Sequence, residues 1–202
     1  MPYSDFTLKK VKENFGISVV EDQDLYSSVD AVDVSQYLAE TLKYNVPLAL
    51  AVGTEKIRSE LIIANMILEV RRILHDQVSF FSGVRLDIDK QRDLNGFCDF
   101  VISKSPEQYY LNAPVVAIVE AKNENIGGGL GQCIAEMYAS RLFNEQEGVV
   151  DLARIYGVVT TGNTWKFLKY EDGIAYIDVP EYHITDPGKI IGILVAMVNQ
   201  EA

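Results

Sequence analysis

Cysteine, histidine and tryptophan are scarce in these 202 residues, at two, two and one, and no apolar run approaches a spanning length; a membrane-crossing helix needs roughly 20 apolar residues. Cys98 and Cys133 sit in separate apolar segments without a C-x-x-C spacing, so a disulfide scaffold or cysteine zinc site is excluded. They read as reduced, buried thiols of a cytoplasmic protein. His75 and His183 stand alone, which leaves no support for a Ser/His/Asp or Cys/His nucleophile. The opening MPYSDFTLKKVKENFG has no uninterrupted apolar stretch, so neither an export signal nor a membrane partner is expected. Positive charge is also short: 18 Lys plus Arg against 29 Asp plus Glu give −11, with adjacent cations only at Lys9-Lys10 and Arg71-Arg72. Indiscriminate capture of nucleic acid needs a basic face that neutralises phosphates. Any contact with nucleic acid must therefore be local.

What is present is a core. Hydrophobic residues make up 48% and charged residues 23%, with only 14 glycines and six prolines, which fits one folded domain with an appendage. The appendage is residues 1–53: a short amphipathic opening (Phe6, Val11, Phe15), then an acidic stretch with Glu21, Asp22, Asp24, Asp30 and Asp33 that reads as a solvated loop. A weak helical pattern through Val34, Leu38 and Leu42 should stop before Pro47.

The main domain, 54–202, opens with a helix capped by Thr54 and running to about Leu74. At 100° per residue, Arg58, Asn65, Glu69, Arg72 and Asp76 share a polar arc, while Glu60 falls with Ile63, Ile67, Val70 and Leu74. A carboxylate pointed at a core needs a partner, a proton or a metal. GVRLDID (83–89) alternates as a half-buried strand, Asn95-Gly96 marks a turn, and FCDFVIS (97–103) is the return strand. PVVAIV (114–119) is apolar throughout, as for a strand covered on both faces, and it runs into Glu120-Ala121-Lys122. The glycines of NENIGGGLGQ match no phosphate-binding fingerprint and read as a flexible loop before a helix through Ile134, Met137, Tyr138 and Leu142. Three short strands (RIYGVVT, TWKFLKY, IAYIDV) form a meander, and a last helix starts near Asp186-Pro187. Trp165 reads as a core aromatic and Tyr109-Tyr110 as loop packing, with Lys166 and Lys169 placed to touch a phosphate backbone.

Asp99, followed 21 positions later by Glu120-Ala121-Lys122, resembles the D…ExK core of the PD-(D/E)xK nucleases, the restriction-endonuclease-like superfamily. The resemblance spans about Thr54 to Val179 and includes Glu60 on the first helix and Gln132 on the helix after the triplet; Cys98 stands where the family has proline. It implies an α/β (α+β) fold with a central mixed sheet flanked by helices, in the order αβββαβ plus a C-terminal meander and helix. It also implies a Mg²⁺- or Mn²⁺-dependent hydrolase of phosphodiester bonds in defence, repair or mobile elements, with DNA expected ahead of RNA. Asp99, Glu120 and the Ala121 carbonyl would hold the ion, Lys122 would manage the attacking water, and Glu60 and Gln132 would support the cluster.

Singly, each residue also fits an ordinary role: Glu120 and Lys122 as a strand-end ion pair, Asp99 as a turn-proximal acid, Glu60 as a surface residue. Jointly, a metal is the simplest compensation for several charges at apolar positions. The acidic balance points the other way, to a catalytically idle nuclease-like domain working through protein contacts. An enzyme with so few cations would rely on a homodimer or a partner subunit for substrate grip.

Overall fold

The computed structural model describes residues 3–152 and 154–201. In chain order the elements are α1 (Leu8–Phe15), β1 (Ser18–Gln23), α2 (Gln36–Val52), α3 (Glu55–Arg58), a π-helical turn (Ser59–Ile63), α4 (Ala64–Ile73), β2 (Ser79–Arg85), β3 (Phe97–Ser103), β4 (Val115–Ala121), α5 (Ile126–Gln146), β5 (Arg154–Thr160), β6 (Thr164–Glu171), β7 (Ile174–Asp178), β8 (Tyr182–His183) and α6 (Pro187–Asn199). The strands form one mixed sheet in the order β1-β7-β6-β5-β4-β3-β2, with β8 also paired to β6. Helices cover both faces: α2, α4 and α6 pack with Phe100, Val119, Tyr156 and Trp165, while α1 and α5 pack with Ile118, Ile155, Val159 and Leu168. The expected mixed α/β architecture with a central sheet flanked by helices is therefore present.

β4 is its axis. All seven of its residues are buried, as continuous apolarity requires of a strand covered on both faces. It runs antiparallel to β3 and parallel to β5, and α5 makes the crossover between β4 and β5.

Several local expectations change. The segment 1–53 contributes β1 to the sheet edge, where it pairs in parallel with β7, and α1 packs on α5. Glu21 and Asp22 accordingly lie in an edge strand whose acids face solvent, not in a loop. α2 continues through Pro47 because a Ser35 cap, the buried Leu38, Leu42 and Ala49, and a bond from Asn45 Nδ2 to the Leu61 carbonyl outweigh one missing backbone donor. β2 lies four residues earlier than the alternating pattern suggests, since Ser79, Phe80 and Phe81 pair with β3. The sequence 86–94 folds instead into a bend with an Asp89–Leu94 bridge. The glycine-rich segment is helical from Ile126. Tyr109 and Tyr110 are exposed, whereas Trp165 is fully buried and donates Nε1–H to the Gly162 carbonyl. Among the described residues no helix is long and apolar enough to cross a membrane.

Candidate active site

The C-terminal end of β4 carries the charged groups. The β3–β4 register pairs Phe100 with Val119, so Asp99 stands across from Glu120. Asp99 Oδ2 accepts the Ala121 N–H at 2.8 Å, which fixes the carboxylate against the neighbouring strand. Glu120 is 2% exposed, and its Oε1 receives Lys122 Nζ at 2.6 Å. Its other oxygen, Oε2, is buried with no hydrogen-bond partner among the described residues. Burial first, and the Asp99 charge second, push the Glu120 carboxyl up to about 8 against the opposing pull of Lys122. Burial alone would lower the Lys122 ammonium, but Glu120, Glu55 and Asp99 together raise it.

Behind the lysine is α5. Lys122 Nζ donates to Gln132 Oε1 at 3.0 Å, and Gln132 Nε2 donates to Glu136 Oε1 at 3.0 Å. Gly129 makes room for this arrangement: a Cβ there would lie 3.0 Å from both Cγ and Cε of Lys122 and 2.7 Å from Val159 Cγ1. Gly129 is thus explained by close packing of a helix on a strand-end lysine rather than by flexibility. Asn125 caps the helix by accepting from Gly128 N.

In front of the strand lies α3, held by Arg58, whose Nη1 donates to the carbonyls of Asn123 and Thr161 beyond the ends of β4 and β5. Thr54 caps this helix through Ile57 N. Glu55, in its first turn, is raised by partial burial and by Asp99 and is drawn the other way by Lys122 and the Asn123 N–H. A cleft of about 240 Å³ opens between Glu55, Ser59 and Glu60 on one wall and Ser82 and Asp99 on the other.

Asp99, Glu120, Lys122 and Gln132 therefore come together, as their spacing suggested. Glu60 does not share their burial: it is exposed on the cleft wall and paired with Lys56 at 3.1 Å. The π-helical turn is the reason, because one extra residue in a turn rotates the downstream helix by about 100° relative to the upstream one. The same turn separates Arg58 from the rest of the polar arc, whereas Glu69, beyond it, is buried for a different reason: the start of α2 covers it, and it accepts from Ser35 N and Oγ and from Arg72. Glu55 is the first-helix acid whose charge couples to the cluster. Ala121 takes part through its N–H to Asp99. Lys166 and Lys169 are committed elsewhere, the first to the carbonyls of Val179 and Pro180 and the second to Glu171 and the face of Tyr176.

Two members of the cluster escape a reading of the sequence. Glu55 follows a good N-cap, where an acid is ordinary, and Glu136 lies on a helix buried nearly all round, four residues after Gln132. The i, i+4 spacing of two polar residues on an apolar helix was the available signal.

Among the described residues no three His, Cys, Asp or Glu side chains are grouped as a ready ion-binding set. A hard cation such as Mg²⁺ takes only one or two carboxylates, with water and phosphate oxygens filling the rest. Asp99, with the unpartnered Oε2 of Glu120 across from it, fits that demand. No family model, characterised protein or solved structure matches this chain.

Proposed function

We propose that this chain is a divalent-metal-dependent phosphodiester hydrolase acting on nucleic acid, DNA ahead of RNA, with a restriction-endonuclease-like core and a D…ExK site. The observation that carries the reading is the buried Oε2 of Glu120, left without a partner opposite Asp99, while Lys122 occupies the other oxygen. An isolated buried carboxylate is costly. Two facing acids with one free oxygen are what a Mg²⁺ or Mn²⁺ ion would reconcile, and neither Asp99 nor Glu120 has an evident structural need for the other.

In this reading Asp99 and Glu120 hold the ion, which when bound supplies a Lewis acid for the phosphate and the attacking water. The chain's own groups do the rest. Lys122, its side chain 24% exposed at the strand end, can hold a water and offset charge on a phosphate oxygen. Gln132 fixes that ammonium from behind. Glu55 adds negative potential at the mouth, favouring a cation there.

With Mg²⁺ or Mn²⁺, the wild-type chain is expected to nick supercoiled DNA, single-stranded DNA or RNA. Glu120→Gln and Lys122→Ala are expected to abolish cleavage while circular dichroism shows the fold retained. Without metal, Glu120→Gln should melt at or above the wild-type temperature, since it removes a buried acid with an unsatisfied oxygen. Failure of the wild type to cleave any of these substrates or to bind Mn²⁺ would remove the reading.

A second reading has its own observation. The outward side of α2 exposes Tyr37, Tyr44, Leu48 and Val52; on a chain of charge −11 this face suits a protein contact better than a polyanion. A catalytically idle domain working through that contact would leave the Mn²⁺ titration flat.

A further inference from the structure

α5 carries a row of polar residues at four-residue spacing, Gln132, Glu136, Ser140 and Asn144, and every one is buried. The two ends of the row grip the two ends of β4. Asn144 accepts the Val115 N–H at 2.7 Å and donates to the Val115 carbonyl at 2.7 Å, while Gln132 accepts from Lys122 Nζ. Ser140 returns its hydroxyl to the Glu136 carbonyl, as serines within helices do. Glu136 is the member without a structural account. It is fully buried, Oε1 accepts from Gln132, and Oε2 has no partner. An unsatisfied buried oxygen asks for an explanation.

We propose that Glu136 is a positioning residue for Lys122, acting through Gln132, so that the lysine keeps a second acceptor when a cation takes Glu120. The proposal rests on the metal-dependent reading of the site. A glutamine amide can turn over and present either end. With Glu136 Oε1 receiving Nε2–H at one end and the Lys122 ammonium, a donor only, at the other, Gln132 turns Oε1 to Lys122, and the path Glu136–Gln132–Lys122–Glu120 is consistent in its donors and acceptors. Without that bias, the amide can offer its NH₂ to an ammonium that accepts nothing. Lys122 would then lean wholly on Glu120 and compete with the incoming ion. Burial and the nearby Glu120 favour the uncharged carboxyl at Glu136, so a glutamine there would reproduce both its shape and its acceptor.

The test compares Glu136→Gln and Glu136→Leu in the full chain by Mn²⁺ calorimetry and by NMR of the Gln132 side-chain NH₂. Expected is a loss of roughly tenfold or more in Mn²⁺ affinity for Glu136→Leu, the range seen when support behind a metal ligand is removed, with rescue by Glu136→Gln. The Gln132 NH₂ signals should be shielded from solvent exchange in the wild type and in Glu136→Gln and unshielded in Glu136→Leu. If Glu136→Leu does not fold, Glu136→Met and Gln132→Met take its place, and the double variant should lose no more affinity than Gln132→Met alone. Wild-type affinity in Glu136→Leu, or unchanged Gln132 signals, overturns the proposal. If the wild type binds no Mn²⁺, the metal reading has failed, and the NMR comparison alone then decides whether Glu136 positions Gln132.

Discussion

At the scale of residues, the site is a set of like charges held closer than water would allow. Glu120 is raised by burial and then by Asp99, and Glu136 by burial and then by Glu120, with Asp99 adding; Lys122 opposes this at Glu120, and Gln132 and Lys122 oppose it at Glu136. Glu55 adds to the rise at Glu120. An acid whose folded value is raised keeps its proton after the unfolded chain has lost it. Between the usual carboxylate value and about 8 the folded state therefore binds more protons, and stability falls as pH rises. The metal-free protein is expected to lose melting temperature steadily from pH 5 to pH 8, with a shallower slope in Glu120→Gln and on adding Mg²⁺. A melting temperature flat or rising over that window would contradict the assignment. Acids lowered by partners, such as Glu69 beside Arg72 and Glu171 beside Arg154, act in the opposite sense and below that window. Asp99, Glu120 and Lys122 were legible because the D…ExK resemblance and strand alternation put them on one face of adjacent strands, and Gln132 through the resemblance alone. Glu55 was not, because what singles it out is the charge of Asp99, 44 positions away, and Glu136 was signalled only by its i, i+4 spacing from Gln132.

Elements set how closely these groups approach. α5 lies against β4 and against the chain before α1 through glycines at which little else fits: a Cβ on Gly131 would meet Thr7 Cα at 2.5 Å and Leu8 N at 2.7 Å. Backbone cannot yield as a side-chain tip can. Gly131→Ala is expected to cost about 1–3 kcal/mol through overpacking and to raise amide exchange in α1 ahead of the rest of the molecule. Gly127→Ala meets only Asn125 Oδ1 at 3.4 Å and should be neutral or slightly stabilising. Equal losses at both positions would mean that helix propensity, not close approach, governs the segment. The π-helical turn between α3 and α4 is the other decisive element. It leaves Arg58 bridging the loops at the sheet end and turns Glu60 to the cleft wall, and nothing in EKIRSELIIAN announces the extra residue. Helical periodicity assumes an unbroken 3.6 repeat, so one irregular turn misplaces residues before it relative to those beyond it, while Ile63, Ile67 and Val70 keep their common buried side.

At the scale of the whole molecule, the segment before Thr54 is part of the core. Tyr3, Phe6, Val11 and Ile17 are buried against α5 and the sheet, Tyr26 and Leu38 against the other face, and β1 covers the edge of β7. A 54–202 fragment, the unit that composition alone would cut out, is therefore expected to be molten or insoluble. Its melt should be broad and it should bind a hydrophobic dye; a cooperative transition near that of the full chain would show that 1–53 is dispensable. The reason is geometric. Removing those residues uncovers one helix layer on each side of the sheet and a parallel edge at the same time.

The D…ExK resemblance implied the central mixed sheet and the meeting of three charged residues, Asp99, Glu120 and Lys122, at one strand end, while composition and short-range pattern by themselves determined that β4 is buried on both faces and that the two cysteines are buried free thiols. The last two features follow from apolar runs, which are local. Tertiary structure alone decided the parallel pairing of β1 with β7, the burial of Glu69 and Glu136, and the exposure of Glu60 on the cleft wall. Each of these depends on which distant surface an element meets, and a buried carboxylate reads in sequence like any solvated one until its partners are in place.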